Sequence, residues 1–295
     1  MGETTNIIAI GELLWDVFQN QQKLGGAPAN FAIHCAQLSR DNHEIALVSA
    51  VGDDDLGAAA LASIDQTNVK TEYISTVAHT TGQVIVTIDS SGSPRYEIAA
   101  DVAWDYLAGS DALAKAAASA HAICFGTLAQ RSPTSQAVIQ QTVSATSRDC
   151  LRVLDINLRP TMNDPQIFQQ SLEIANVLKL SDEELATLTQ QFDLTGDCES
   201  QLGKLQQRFN LAAIAYTRGE QGAMLLRGNE ISHCPGVSVN VFDTVGAGDA
   251  FTAALVLGLL EKQSLDEINE RACRIAAFVC SQNGATPKVP ASVLA

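Results

Sequence analysis

The chain has 295 residues, of which 46% are hydrophobic, so it can bury a sizeable core and fold as a single domain over residues 1–295. Its formal net charge of -15 argues against a nucleic-acid surface, because contact with phosphodiesters requires clustered Lys and Arg. The N-terminal segment lacks the basic start and apolar core of a signal peptide, and no apolar run approaches the roughly 20 residues that span a bilayer. We therefore expect a cytoplasmic protein that has neither nucleic acid nor a membrane as a partner.

Short apolar runs alternate with helical patterns along most of the chain. The runs that predict buried strands are residues 7–14, 45–51, 122–125, 151–156, 177–180 and 211–216. The helical patterns cover residues 29–38, 133–146 with Ser132 as N-cap, 182–190 and 201–209. This alternation predicts an α/β fold with a mostly parallel sheet, helices on both faces and ligands at the carboxyl ends of the strands.

One segment departs from this alternation. Residues 83–99 read QVIVTIDSSGSPRYEIA, which are two alternating strands around a Ser-Ser-Gly-Ser-Pro turn and predict a β-hairpin. We expect a small sheet inserted around residues 71–100. It would serve as a lid over the substrate, as a dimer contact or as an ordinary edge hairpin, and the sequence leaves these alternatives open.

The most informative motif is FDTVGAGDAF at residues 242–251, which precedes the apolar run TAALVLGLL. Gly246, Ala247 and Gly248 leave backbone N–H groups unobstructed at a helix start, where the partial positive charge attracts phosphate. Asp249 adds a carboxylate that can accept a proton from an attacking hydroxyl. The alternative is that the glycines only form a turn and Asp249 complements the helix dipole.

A second glycine loop comes before the first predicted helix. Gly25 and Gly26 permit a close backbone approach, and Asn30 offers both a donor and an acceptor, a combination suited to a neutral polyol. Asp16, just past the first predicted strand, would add a carboxylate for sugar hydroxyls. Taken singly, each of these residues is better explained by a turn or a helix start than by a ligand.

These motifs occur together in a recognisable order. Together they extend over essentially the whole chain and resemble the signatures of the ribokinase-like (PfkB) carbohydrate kinase family. In chain order they are GGAPAN, VGDDDLG, the hairpin, DINLRP, KLSDEEL, TRGEQGA, DTVGAGD and NGATP. The resemblance implies a ribokinase-like three-layer α/β/α fold with a small β lid. It also implies an ATP-dependent sugar kinase in which Asp249 is the base and the amides of Gly246, Ala247 and Gly248 form the anion hole.

The resemblance implies roles for further residues. Arg159 of DINLRP would reach a phosphate or the sugar, and Glu184 of KLSDEEL would help to hold Mg²⁺ through water. Ser181 and Glu184 also have the spacing of a capping box, which explains both without a ligand. The nucleotide is assigned to Thr217, Gly219, Gly222, Gly246, Gly248 and Asn283, and a possible monovalent cation such as K⁺ to backbone groups at Asp243 and Thr244.

Four short sequence motifs indicate the identity of the sugar. GELLWD, GGAPANFA, FGTLAQ and DINLRP look most like bacterial and plant fructokinases, which implies conversion of fructose to fructose 6-phosphate. One alternative is a 2-keto-3-deoxygluconate kinase, in which Arg95 would bind the substrate carboxylate; Tyr96 would stack against either sugar. Another is a catalytically silent sugar-binding regulatory relative. We expect ATP and Mg²⁺ as cofactors, the sugar and ATP as small-molecule partners, and a homodimer formed through the lid.

Overall fold

The structure is a computed structural model that describes residues 4–18, 21–39, 42–88, 94–159 and 164–294. The strands are β1 (Thr5–Ile10), β2 (Leu14–Phe18), β3 (Gln21–Gly25), β4 (His43–Gly52), β5 (Val69–Val77), β6 (Gly82–Ile88), β7 (Pro94–Ile98), β8 (Ala122–Phe125), β9 (Leu151–Asp155), β10 (Val177–Ser181), β11 (Ala213–Thr217), β12 (Ala223–Arg227) and β13 (Glu230–Cys234). The helices are α1 (Ala27–Leu38), α2 (Asp55–Ile64), α3 (Asp111–Ala118), α4 (Pro133–Ser144), α5 (Pro165–Ile174), α6 (Asp182–Phe192), α7 (Cys198–Phe209), α8 (Ala247–Leu260), α9 (Leu265–Cys280) and α10 (Ala291–Leu294).

A nine-stranded sheet forms the centre of the molecule, in the order β13-β12-β11-β10-β9-β8-β1-β4-β5. Every neighbouring pair from β11 to β5 is parallel, and β12 and β13 extend the sheet with antiparallel pairing. The predicted mostly parallel sheet is therefore confirmed. Its apolar strands are nearly continuous runs because both faces of the sheet are covered.

Two hydrophobic cores lie on opposite faces of this sheet. Ile7 and Ala9 of β1 pack with α1, α2, α8 and α9, whereas Ile8 and Ile10 pack with α3, α4, α5, α6 and α7. Alternate side chains of a strand point to opposite faces, so one strand contributes to both cores. The result is the three-layer α/β/α arrangement.

The first apolar run is not one strand, and the prediction of a strand over residues 7–14 was wrong in its bounds. β1 ends at Ile10, and Gly11 has φ +148°, in a backbone region that strongly favours glycine. A Cβ at Gly11 would lie 2.8 Å from the side chain of Pro28. The chain turns here, leaves the central sheet and begins β2 in a different sheet.

The second sheet is small and has the order β3-β2-β6-β7. Strands β6 and β7 form the predicted hairpin, whose turn at residues 89–93 lies outside the described residues. The sheet differs from the expected range of 71–100 in two ways. β5 belongs to the central sheet, and residues 14–25 supply the other two strands, so Asp16 lies within β2 and not after a strand of the central sheet.

Helix starts explain several acidic and hydroxyl residues. Asp54 caps α2 by accepting from Gly57 N–H, and Ser181 with Glu184 forms the predicted capping box at the start of α6. Ser132 occupies the N-cap position of α4, but its hydroxyl donates to Asp105 O and does not cap the helix. Within the described residues, none of the helices has the length and apolar character needed to cross a membrane.

Candidate active site

The N-terminus of α8 is the centre of the candidate site. Apart from Asp249 and Thr252 its residues are apolar or glycine, and Ala250 to Gly258 are buried, so the helix runs through the core. Gly246, the N-cap, has φ +80°, and a Cβ there would lie 2.1 Å from the carbonyl oxygen of Ala285. Only glycine fits this turn. The first backbone N–H groups of a helix have no partner within the helix and can bind an anion, although Ala247 N here donates to Thr244 O at 3.3 Å.

Asp249 lies in this first turn, and its side chain is held by the N-terminal glycine loop. Asn30 of α1 donates from Nδ2 to Asp249 Oδ2 at 2.8 Å, across 219 residues of sequence. Burial raises the pKa of the Asp249 carboxyl, and the hydrogen bond from Asn30 opposes this shift. Asp249 lines a cavity together with Ala27, Phe125 and Asp155. The two glycine motifs therefore meet at one carboxylate.

A buried ion pair lies beneath the first turn of α8. Lys179 Nζ is 3.0 Å from Asp155 Oδ1, and Thr252 of α8 donates to Asp155 Oδ2 at 2.7 Å. The ammonium is also only 3.2 Å from where a Cβ on Gly248 would lie. Burial disfavours its charge, but Asp155 and Glu184 outweigh that effect and raise the pKa of Lys179 above its usual value. A permanent positive charge thus lies directly behind the turn.

DINLRP supplies both a turn and a cation. Asp155, the last residue of β9, is 5% exposed and accepts a hydrogen bond from Lys179. Asn157 has φ +47° and forms the turn that follows β9. Arg159 is half-buried, and its charge lowers the pKa values of Glu12, Asp16 and Asp249 against the effect of burial. Pro160 lies outside the described residues.

At the predicted sugar end of the site, acidic residues lie close to Gly25 and Gly26. A Cβ on Gly25 would lie 2.4 Å from Asp16 Oδ2, and one on Gly26 would lie 2.4 Å from the carbonyl oxygen of Glu12. Burial raises the pKa of Asp16 to about 6, and Arg159 opposes this. The structure therefore brings Asp16, Gly25 and Gly26 together. The side chains of Arg95 and Tyr96 lie outside the described residues.

Glu12 is a buried acid beside the candidate site that the sequence analysis missed. It is 2% exposed, its Oε1 accepts from Ala27 N–H at the start of α1, and its Oε2 has no partner within the described residues. Burial raises its pKa to about 7, with opposition from Arg159 and a smaller contribution from Asp249. An acid in the otherwise apolar run AIGELLW was the available signal, because buried acids are rare unless they have a partner or a function.

The predicted nucleotide residues lie at the ends of neighbouring elements. Thr217 ends β11, and its hydroxyl donates to Leu180 O at 3.4 Å. Gly219 begins a short 3-10 turn, and Gly222, at φ +86°, closes it where a Cβ would lie 2.1 Å from Cys234 O. Asn283 precedes Gly284 in the loop after α9, and its side-chain oxygen accepts from Lys23 of the small sheet.

The residues expected to bind metals are engaged in local hydrogen bonds. Glu184 is 6% exposed, with its two oxygens accepting from Ser181 N at 2.7 Å and Leu158 N at 2.8 Å. Each carboxylate oxygen has a second lone pair, so this arrangement fits a metal-bound water better than direct Mg²⁺ ligation. No group of three or more His, Cys, Asp or Glu side chains able to hold a metal occurs in the described part of the chain.

The family model for the pfkB family of carbohydrate kinases matches residues 2–292. The chain belongs to this PfkB family. It is 31% identical to a fructokinase of Klebsiella pneumoniae over 243 residues, which are 80% of this chain and 76% of that protein.

Solved structures agree with the family assignment. A sugar kinase of Pyrococcus horikoshii in complex with ATP is 25% identical, with a TM-score of 0.76. The match covers 96% of this chain and 95% of that protein's chain. A fructokinase of Xylella fastidiosa with bound ATP is 21% identical, with a TM-score of 0.86 over 98% of this chain and 97% of its own. The predicted ribokinase-like fold is confirmed, and this PfkB protein is a sugar kinase whose relatives support the use of ATP.

Proposed function

We propose that this sugar kinase is a fructokinase that transfers the γ-phosphate of ATP to the 6-hydroxyl of fructose. The observation that carries the proposal is the meeting of Asp249 with Asn30: a buried carboxylate at an anion-binding helix start, held by a loop suited to a polyol. The name of the Klebsiella pneumoniae relative supports fructose as the acceptor.

The reaction needs a base, an anion site and alignment of the two substrates. Asp249 accepts the proton of the attacking hydroxyl, and its raised pKa makes it a better acceptor than an exposed carboxylate. The amides of Gly246 and Gly248 stabilise the charge on the transferred phosphoryl group. The third amide of the predicted anion hole, that of Ala247, already donates to Thr244 O at 3.3 Å. Lys179 adds a fixed positive charge behind this turn, where burial strengthens its effect.

Arg159 and Glu184 complete the phosphate side. The charge of the Arg159 guanidinium lowers the pKa of both Asp16 and Asp249 against the effect of burial. A cation that influences both carboxyls is suited to a position between the sugar and the phosphate. Glu184 holds Mg²⁺ through water, and the ion when bound neutralises charge on the phosphate oxygens of ATP. Thr217, Gly219, Gly222 and Asn283 bind the nucleotide.

The charge of the sugar end favours a neutral substrate over 2-keto-3-deoxygluconate. The charge of Asp249 raises the pKa values of Glu12 and Asp16, and Arg159 opposes the rise in the pKa of all three carboxyls. A substrate carboxylate would add a further negative charge to this cluster. A neutral ketose instead offers hydroxyl donors to the carboxylates and an acceptor to Asn30. Asp16, Gly25, Gly26 and Asn30 therefore bind fructose, and the stacking of Tyr96 on the sugar stays a prediction.

The small sheet is the proposed lid and dimer contact. Ile85 of β6 is 45% exposed, and its partner across the pair with β2 is the half-buried Val17. Val17 packs against the core, so Ile85 is the exposed apolar side chain that could contact a second copy of the same sheet. Light scattering of the purified protein tests this point: a dimer is expected, and Ile85→Lys should shift it toward monomer.

The substrate is tested with a coupled assay that follows ADP release. Fructose, mannose, ribose, 2-keto-3-deoxygluconate and adenosine are compared at equal enzyme concentration, and kcat/KM for fructose is expected to be the highest. A higher value for 2-keto-3-deoxygluconate would overturn the choice of sugar. A complete lack of sugar-dependent ADP release would instead favour the silent regulatory alternative.

A further inference from the structure

Lys23 lies where the small sheet meets the loops around the anion-binding turn. It is in β3, and its ammonium donates to Asn283 Oδ1 and lies 3.9 Å from Asp243 Oδ2. The ring of Phe18 lies 5.6 Å from the same ammonium. The side chains of Lys23 and Asp243 are 25% and 24% exposed, so solvent screens the pair only partly.

Asp243 connects the two loops that form the turn. Its Oδ1 accepts from Val245 N at 3.1 Å, and its Oδ2 accepts from Gly284 N at 3.4 Å. The first loop leads into Gly246, which packs directly against the second loop at Ala285. A positive charge at Asp243 therefore acts on both loops and on the anion position between them.

The oxygens in this region do not fit an additional monovalent cation. The Asp243 carboxylate already has two N–H donors and the ammonium of Lys23. Thr244 O accepts from Ala247 N at 3.3 Å. Ala285 O is 2.9 Å from Nε2 of His34, whose pKa burial lowers to about 4, so a neutral imidazole donates to it. A K⁺ ion placed here would be repelled by Lys23 while sharing its carboxylate.

We propose that Lys23 supplies, as a side chain, the positive charge at Asp243 that a free monovalent cation would otherwise provide, so that nucleotide binding and phosphoryl transfer need no K⁺. This inference rests on the proposed kinase function of the same site. Because Lys23 belongs to the small sheet, the charge is delivered when that sheet lies against the Asp243 and Asn283 loops. The small sheet then contributes to the phosphate side of the site as well as to the sugar side.

The test compares the full-length protein with Lys23→Ala, which leaves room for an ion, and with Lys70→Ala as a matched control. Lys70 forms an exposed pair with Glu44 at 2.7 Å, at the β4–β5 end of the central sheet. ADP affinity by calorimetry, the thermal midpoint and sugar-dependent turnover are measured in potassium, ammonium and tetramethylammonium chloride at equal ionic strength. Tetramethylammonium is too large to replace the side chain.

We expect the same wild-type and Lys70→Ala values in all three salts. Lys23→Ala should bind ADP about fivefold more weakly in tetramethylammonium, the effect of losing one partly exposed charge pair, and should recover in potassium or ammonium. Activation of the wild-type protein by potassium would overturn the proposal, as would a Lys23→Ala variant with no defect. A defect that neither ion restores would assign Lys23 to lid contact or direct phosphate binding. ADP binding needs no sugar, so the comparison remains decisive if fructose is not the substrate.

Discussion

The buried carboxyl of Glu12 predicts a pH dependence of stability that a single substitution should remove. Burial raises its pKa from 4.5 to about 7, so the folded protein binds this proton more tightly than the unfolded chain does. Stability is therefore lost as pH rises from about 4.5 to about 7, and the loss is complete above that range. At 1.4 kcal/mol per pH unit the full effect is about 3 kcal/mol, of which about 2.5 kcal/mol falls between pH 5 and pH 8.

Glu12→Gln tests this value because the amide keeps an acceptor for Ala27 N–H and cannot ionise. Urea unfolding is followed by tryptophan fluorescence at several pH values from 5 to 8. The stability of the variant relative to wild type should increase across this range by about 2.5 kcal/mol. Glu183→Gln, at an exposed acid in the first turn of α6, should show no such trend. Parallel pH profiles for wild type and Glu12→Gln would refute the reasoning.

Two further substitutions test the anion-binding turn and the charge behind it. Gly246→Ala should destabilise the protein by about 2 kcal/mol or more and lower turnover, because the added Cβ would collide with Ala285 O. Gly228, at φ +61°, has open space around it, so the control Gly228→Ala should cost only about 1 kcal/mol of stability. Equal thermal midpoints for the two variants would contradict this. Lys179→Met should cost about 3–5 kcal/mol by leaving Asp155 buried without its partner. Adding Asp155→Asn should restore stability but not turnover, and recovery of turnover would remove Lys179 from the phosphate side.

Much of the fold could be predicted from local patterns. The central strands are short apolar runs between helical patterns. A strand that is buried on both faces has such a sequence regardless of which strands it pairs with. The glycine motifs also predicted the tight turn at the start of α8, because a small-residue helix start is a local property, whereas the anion-binding role of this turn stays a prediction. The hairpin followed from alternation around a turn, whereas the pairing of β2 with β6 joins segments that are distant in sequence and has no local signal.

The residues that were missed act through contacts made only in the folded chain. Lys179 lies in β10 between Leu178 and Leu180, which face the opposite core, so its approach to Gly248 depends on the packing of α8. Lys23 depends in the same way on how the small sheet meets the Asn283 loop. Glu12 lies in an apolar run that predicts one continuous strand, and its position is set by the turn of the chain at Gly11.

The central claim is that Asp249 removes the hydroxyl proton while the anion-binding turn holds the phosphate. The most direct measurement is the turnover of Asp249→Asn with fructose and ATP, together with the calorimetric affinity for each substrate. Turnover should fall about 10²-fold or more with little change in affinity, because the amide oxygen still accepts from Asn30. Asp111→Asn, at a first-turn acid of α3, is the control and should retain full activity. Wild-type turnover in Asp249→Asn would contradict the account.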